Sequence, residues 1–189
     1  VYMMADRLNR IMHAQYNIAI SEHDEFIKYY MDENNTRIWY ILLSGFDGDR
    51  GEFTDGQYLV RMEFPDKFPI DPPWFYFMTP NGVYKPGEKV CIDIGGYHKT
   101  NYPSALGARG FAKQLVSGLI GWKLLNKSGG INIVKTKVEA KQKLAKESVL
   151  TNSLEHGAHI ANINNAYAEY SVKHGAASNF PATNNTNNQ

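Results

Sequence analysis

A single cysteine, Cys91, occurs in the 189 residues. One thiol cannot close an internal disulfide, and without a second there is neither a paired-thiolate zinc site nor a dithiol redox motif. A reducing compartment, cytoplasmic or nuclear, is therefore expected. Neither sign of charge is in excess: 20 Lys and Arg stand against 19 Asp and Glu, a formal net charge of +1. No overall field draws nucleic acid or an anionic membrane. Long hydrophobic runs are missing as well. The strongest, Trp39 to Leu43 and Leu115 to Trp122, fall far short of the roughly 20 residues of a bilayer-crossing helix, so no membrane span is expected. The opening Val1-Tyr2-Met3-Met4 has no basic stretch leading into an apolar one. It is read as a cloning remnant, not a signal peptide. No internal repeat, phosphate loop or dinucleotide fingerprint is present.

Hydrophobic residues make up 43% and aromatics 13% of the chain, more than a disordered polypeptide carries. The length suits one domain of about 150 residues plus an extension. Leu8, Ile11, Met12 and Ile18 recur at helical spacing and predict a helix from Ala5 to about Ile18. A loop rich in charge and Asn is expected next. Ile38 to Phe46 reads as a strand entering the turn Asp47-Gly48-Asp49. Tyr58, Val60, Met62 and Phe64 alternate with Leu59, Arg61 and Glu63 in an antiparallel partner strand. Pro65, Pro69, Pro72 and Pro73 then stiffen the link to a further strand, Trp74 to Met78.

Thr79 to Val90 is turn-forming and irregular, as is the stretch from Gly95 to Gly110. Phe111, Leu115, Val116, Leu119, Ile120 and Trp122 mark a buried helix. The lysines from Lys135 to Lys146, interrupted by Glu139, suit a solvated helical face rather than a nucleic-acid surface. Asn152 is expected to cap a last helix, with Glu155 at its third position and Ile160, Ile163, Tyr167 and Tyr170 as its apolar stripe. From Gly175 onward the chain is too polar to repay ordering entropy. The expected divisions are thus residues 5–152 as the main domain, 153–174 as an added helix and 175–189 as a flexible Asn-rich tail.

Two short patterns carry nothing. Counted from Asp47, a calcium loop would need Gly at Glu52 and a bidentate Glu at Tyr58, so the segment is a hairpin turn. Asn34, Asn126 and Asn184 begin glycosylation triplets, a pattern short enough to arise by chance.

Thr79-Pro80-Asn81-Gly82, the proline-rich link before it, and Val90-Cys91-Ile92-Asp93-Ile94 after it together resemble the ubiquitin-conjugating enzymes. The resemblance covers roughly residues 5 to 152. It implies an α+β fold: an N-terminal helix, a four-stranded antiparallel meander, an active-site flap and C-terminal helices. The separation from Asn81 to Cys91 is 91 − 81, ten positions, slightly longer than is usual in that family, and Thr79 stands where His is usual. Both departures are similar to the branch serving degradation at the endoplasmic reticulum. Cys91 through His98, and Lys141-Gln142-Lys143-Leu144-Ala145-Lys146-Glu147-Ser148, look like the same branch. Its members end in a membrane anchor, whereas this chain ends in a polar tail, so the resemblance implies no location.

The activity implied is acceptance of ubiquitin from an activating enzyme as a thioester on Cys91 and its transfer to a substrate lysine. A lone Cys is otherwise usually a small buried hydrophobe. A free thiol of pKa about 8.5 is a few per cent thiolate at pH 7, enough for exchange with an activated thioester. Asn81 is the candidate donor to the tetrahedral oxyanion, a role worth about 3 to 4 kcal/mol. Its alternative is a turn residue that holds the flap. The attacking lysine, with a reference pKa of about 10.4, is almost wholly protonated. Asp93 is where similar enzymes place an acid that orients and deprotonates it. Tyr97, His98 and Tyr102 are candidate walls of the site.

For partners, the resemblance implies a RING-type ligase at Pro69 and Ile70 and at Pro103, Ser104 and Ala105. Relatives usually carry Trp and then Pro two residues later where this chain has Tyr102-Pro103-Ser104. The activating enzyme is expected at Arg7 and Arg10. No metal or cofactor is implied, since ATP is consumed by the activating enzyme. Two alternatives stand beside this reading: a noncatalytic ubiquitin-binding variant of the fold, and a cysteine hydrolase with His98 as the base for Cys91.

Overall fold

The computed structural model describes residues 2–90, 104–124 and 133–175. Helix α1 (Tyr2–Ser21) leads into strands β1 (Ile27–Met31), β2 (Ile38–Ser44), β3 (Gln57–Glu63), β4 (Trp74–Phe77) and β5 (Lys89–Val90). A 3-10 turn (Ser104–Leu106) precedes helix α2 (Gly107–Ile120), and helices α3 (Val138–Glu155) and α4 (Gly157–His174) follow. The strands form one sheet in sequence order with every neighbour antiparallel. This is the expected α+β arrangement, a meander of four strands with a two-residue fifth.

The register explains why both faces of the sheet are covered. Tyr29, Ile41, Val60 and Phe77 lie opposite one another across the strands. They point into the main core with Trp39, Met62 and Phe75, beneath Leu8 and Met12 of α1 and Phe111, Leu115 and Leu119 of α2. Shifted by one residue, Leu42 and Leu59 face the other way and pack with Ile163 of α4, flanked by Tyr30, Tyr40 and Ile160. The period of two places alternate side chains on opposite faces, so the sheet needs an apolar partner on each. Helix α4 supplies the second. Its Tyr167 hydroxyl accepts the Tyr29 N–H at 3.1 Å, and His159 stacks on Tyr40 with ring centroids 3.8 Å apart.

Four features differ from the sequence expectations. Strand β1 lies in the segment read as a loop. Ile27, Tyr29 and Met31 are buried while Lys28 and Tyr30 are half-exposed, a clear alternation, but five residues between acidic flanks are too few to dominate the local composition. Helix α1 runs from Tyr2 to Ser21, longer at both ends than the expected Ala5 to about Ile18. The break between the last helices falls at His156, not at Asn152, because Asn152 is buried within α3 and spends its side chain on tertiary hydrogen bonds. Finally, Lys141 is fully buried rather than on a solvated face. Its position on α3 turns it toward the body of the protein, where Trp122 and Thr136 receive it.

Candidate functional site

The turn from Thr79 to Tyr84 carries Asn81 and is built almost entirely from buried groups. Asn81 itself is fully buried. Its Oδ1 accepts the Val83 N–H at 2.9 Å and the Tyr84 N–H at 2.8 Å, and its Nδ2 donates to the Thr79 carbonyl at 3.3 Å. This is the geometry of an Asn holding its own turn. The amide has two hydrogens, and the bond to Thr79 uses one. Gly82 has φ +74°, a conformation that L side chains adopt only with strain. An added Cβ would also come within 2.8 Å of Thr136 Oγ1 and 2.9 Å of Lys141 Cγ. The turn is therefore pressed against α3 and the segment before it.

Thr79, also fully buried, extends the β3–β4 ladder. Its hydroxyl accepts the Leu59 N–H at 2.9 Å, as a backbone carbonyl would, and donates to Asn152 Oδ1. Asn152 Nδ2 donates in turn to the Gln57 carbonyl at 3.0 Å, while Ser148 Oγ accepts the Gln57 N–H at 2.8 Å. One turn of α3 thus satisfies both backbone groups of the first residue of β3. Beyond Gly82, Val134 N–H donates to the Val83 carbonyl at 2.7 Å. The Thr136 hydroxyl donates to the Gly82 carbonyl at 2.6 Å. Tyr84 stacks on Phe77 with centroids 4.8 Å apart.

Lys141 closes the arrangement. Its Nζ donates to the Thr136 carbonyl at 2.8 Å and to Thr136 Oγ1 at 2.9 Å, and lies 3.8 Å from the centre of the Trp122 ring. Burial lowers its pKa, opposed by the field of Glu52. Glu52 is itself fully buried. Burial pushes its carboxyl up, but donation from the backbone N–H groups of Arg50 and Glu52 and from Trp122 Nε1 outweighs this, leaving the pKa below the usual carboxylate value. Glu52 and Lys141 therefore flank the Trp122 indole, one at its N–H and the other over its face.

The remaining predicted site residues are distributed over the surface or lie elsewhere. Ile70, just after the cis Phe68–Pro69 bond, is 74% exposed. Phe68 anchors that loop by packing edge-on against Phe64 at 4.8 Å. Ser104 and Ala105 are exposed in the turn before α2, and Arg7 and Arg10 are exposed on α1. Arg10 lies 4.0 Å from Asp6, a surface pair of small energetic worth. Cys91, Asp93, Tyr97, His98, Tyr102 and Pro103 lie outside the described residues. Val90, which precedes Cys91, pairs with Phe75 and is buried. Among the described residues no group of His, Cys, Asp and Glu is arranged to hold a metal ion. No helix there is long and apolar enough to cross a membrane.

Sequence reasoning missed the contributions of Asn152, Ser148, Thr136 and Lys141 to this turn. Asn152 and Ser148 are one helical turn apart, and Lys141 and Ser148 two, which places polar groups on a single face. That stripe was the available signal.

No family model matches the chain. Similarity to curated proteins is modest but consistent in kind. Over 119 residues the chain is 29% identical to the probable ubiquitin-conjugating enzyme E2 33 of Arabidopsis thaliana, covering 63% of this chain and 46% of that protein. It is 27% identical over 144 residues to ubiquitin-conjugating enzyme E2 6 of Candida glabrata, covering 74% of this chain and 54% of the relative. The chain spans about half the length of the curated relatives it matches. Human ubiquitin-conjugating enzyme E2 G1 superposes with a TM-score of 0.50 at 21% identity, covering 59% of this chain and 93% of that structure. With a helix before the meander and helices after it, the chain has the fold of the ubiquitin-conjugating enzymes, and the curated proteins it resembles in sequence carry that name.

Proposed function

We propose that this chain conjugates ubiquitin through a thioester on Cys91. The observation that supports this best is the buried Thr79–Tyr84 turn, which occurs in a ubiquitin-conjugating fold just ahead of β5 and Cys91. In the first step the Cys91 thiolate attacks the carbonyl carbon of ubiquitin's terminal thioester on the activating enzyme. A new C–S bond forms, and the activating enzyme's thiolate leaves. In the second, the neutral amine of a substrate lysine attacks that carbonyl. The C–N bond forms, the C–S bond breaks, Cys91 leaves as a thiolate, and Asp93 takes the proton from the nitrogen and passes it to water.

The remaining N–H of Asn81 would serve the oxyanion, while its carboxamide oxygen holds the turn through the Val83 and Tyr84 N–H groups. Tyr97, His98 and Tyr102 wall the site and limit water. Ligases of the RING type would grip the exposed Ile70 beside Pro69, together with Pro103, Ser104 and Ala105, and the activating enzyme would meet Arg7 and Arg10. A thiol that must stay free suits a reducing compartment, the cytoplasm or nucleus. Residues 5–152 would hold the catalytic elements, α4 would serve as a cover for the sheet, and residues 175–189 would form an extension.

The test is to mix the chain with activating enzyme, ubiquitin and ATP and to run a nonreducing gel. A thiol-sensitive adduct that disappears in Cys91→Ala is the expected result. No adduct, with ubiquitin still bound, would point instead to a noncatalytic binder. Turnover of a simple ester without activating enzyme, lost in His98→Ala, would point to a hydrolase.

A further inference from the structure

The groups that hold the Asn81 turn come from a different part of the chain, and one of them is a buried ammonium. Lys141 Nζ binds both the carbonyl and the hydroxyl of Thr136, and that hydroxyl donates onward to the Gly82 carbonyl. Orienting a hydroxyl in this way matters, because a Thr can otherwise rotate its proton to another acceptor. With the cation occupying one lone-pair direction of Oγ1, the proton is left to point at Gly82. The lysine stem also fills the space against Gly82 that a Cβ would need. On the other side of Asn81, Asn152 holds Thr79, whose carbonyl is the acceptor of the Asn81 amide.

We infer that Lys141 is a positioning residue for Asn81, acting through Thr136 and Gly82, with Asn152 as its counterpart through Thr79. The inference rests on the ubiquitin-transfer reading for its kinetic consequence, but the geometric claim does not. Burying an ammonium is costly unless it is hydrogen-bonded, and Lys141 is fully buried. Here it is spent on two hydrogen bonds and a cation–π contact at the back of the turn. A misplacement of about 1 Å in a group that stabilises a transition state can lower its rate about 100-fold, so a brace of this kind would act on the transfer step and not on folding alone.

The experiment uses the full chain with Lys141→Met, which keeps the stem without the donors, and Thr136→Val, which keeps the shape without the hydroxyl. Lys143→Met, whose side chain is 75% exposed, is the control. Thioester formation should match the parent. Discharge to free lysine should slow about 10- to 100-fold in kcat with KM for lysine unchanged, and the Asn81 side-chain amide signals should shift and exchange faster in an 15N spectrum. Unmoved amide signals in both variants overturn the inference, whatever the activity. Moved signals with parental discharge overturn its catalytic part. A parent that never forms the thioester removes the conjugation reading, and the Asn81 amide signals then decide the positioning claim by themselves. If Lys141→Met fails to fold, Thr136→Val carries the same comparison.

Discussion

The Thr79 hydroxyl donates to the carboxamide oxygen of Asn152, which lies 73 residues further along the chain. A helix side chain is thereby joined to the turn at the end of the β3–β4 ladder, and the same Asn also reaches the Gln57 carbonyl. Truncating Asn152 to Ala removes the acceptor of the buried Thr79 O–H, which keeps only the Leu59 N–H as a partner among the described residues, and the side-chain donor to the part-buried Gln57 carbonyl. An unsatisfied buried group costs about 1 to 3 kcal/mol, so Asn152→Ala should lower the unfolding free energy by about 2 to 4 kcal/mol. A denaturant titration reads this as a lower midpoint at unchanged slope.

Gly82→Ala should be damaging for a separate reason. The residue has φ +74°, where a left-handed conformation costs a non-glycine residue roughly 1 to 2 kcal/mol, and its new methyl would meet Thr136 Oγ1 and the Lys141 stem. Thermal unfolding should show a loss larger than that of Gly87→Ala, which shares a positive φ of 73° but has open space around it. Equal losses at the two positions would mean that the contact with α3 contributes nothing.

Helix α4 should loosen in acid. Burial lowers the pKa of His159, and His156 lowers it further, while Asp32 opposes both. A histidine with a depressed folded-state pKa binds its proton more readily when unfolded. Its neutral form costs nothing above the ordinary value of 6.5, and stability falls as the pH drops through that value toward the depressed one. Hydrogen exchange of the α4 amides, corrected for intrinsic rate, should therefore quicken between about pH 7 and 5. His159→Phe, which keeps a ring against Tyr40, should flatten that dependence.

Ile70→Ala should separate stability from partner use. At 74% exposure the side chain contributes little to the core, and surface substitutions of this sort usually stay within about 0.5 kcal/mol. If the proline-rich loop is a ligase contact, discharge stimulated by a RING ligase should fall severalfold while unstimulated discharge and the melting temperature hold. Equal stimulation of parent and variant would remove Ile70 from the contact.

Much of the scaffold can be read directly from periodicity. The inward sets of β3 and α2, with Tyr58, Val60 and Met62 on one and Phe111, Leu115 and Leu119 on the other, are buried as their spacing predicts. Ile120 is the exception at 38% exposure, since it closes α2 on the far side of the stripe. What periodicity could not convey is the use of polar residues over long separations. Asn152 has the composition of a cap, and only its contact with Thr79 reveals otherwise. Lys141 looks solvated in a lysine-rich stretch until Trp122 and Thr136 are seen around it. The turn at Asn81 was legible because Asn before Gly is a local signal, whereas its supports come from a helix that no local window includes.

The tyrosine that α4 lends to β1 bears on how the molecule avoids its own copies. Ser44 N–H bonds the Phe26 carbonyl, and ladder bonds alternate along an antiparallel pair. At Tyr29 the backbone groups consequently point away from β2, along the unpaired rim of the sheet. The Tyr167 hydroxyl occupies the amide there, and α4 lies over Leu42 and Leu59 at the same time. A chain shortened to end before Gly157 would bare an apolar face and a strand margin together, the combination that invites strand addition and fibrous aggregation.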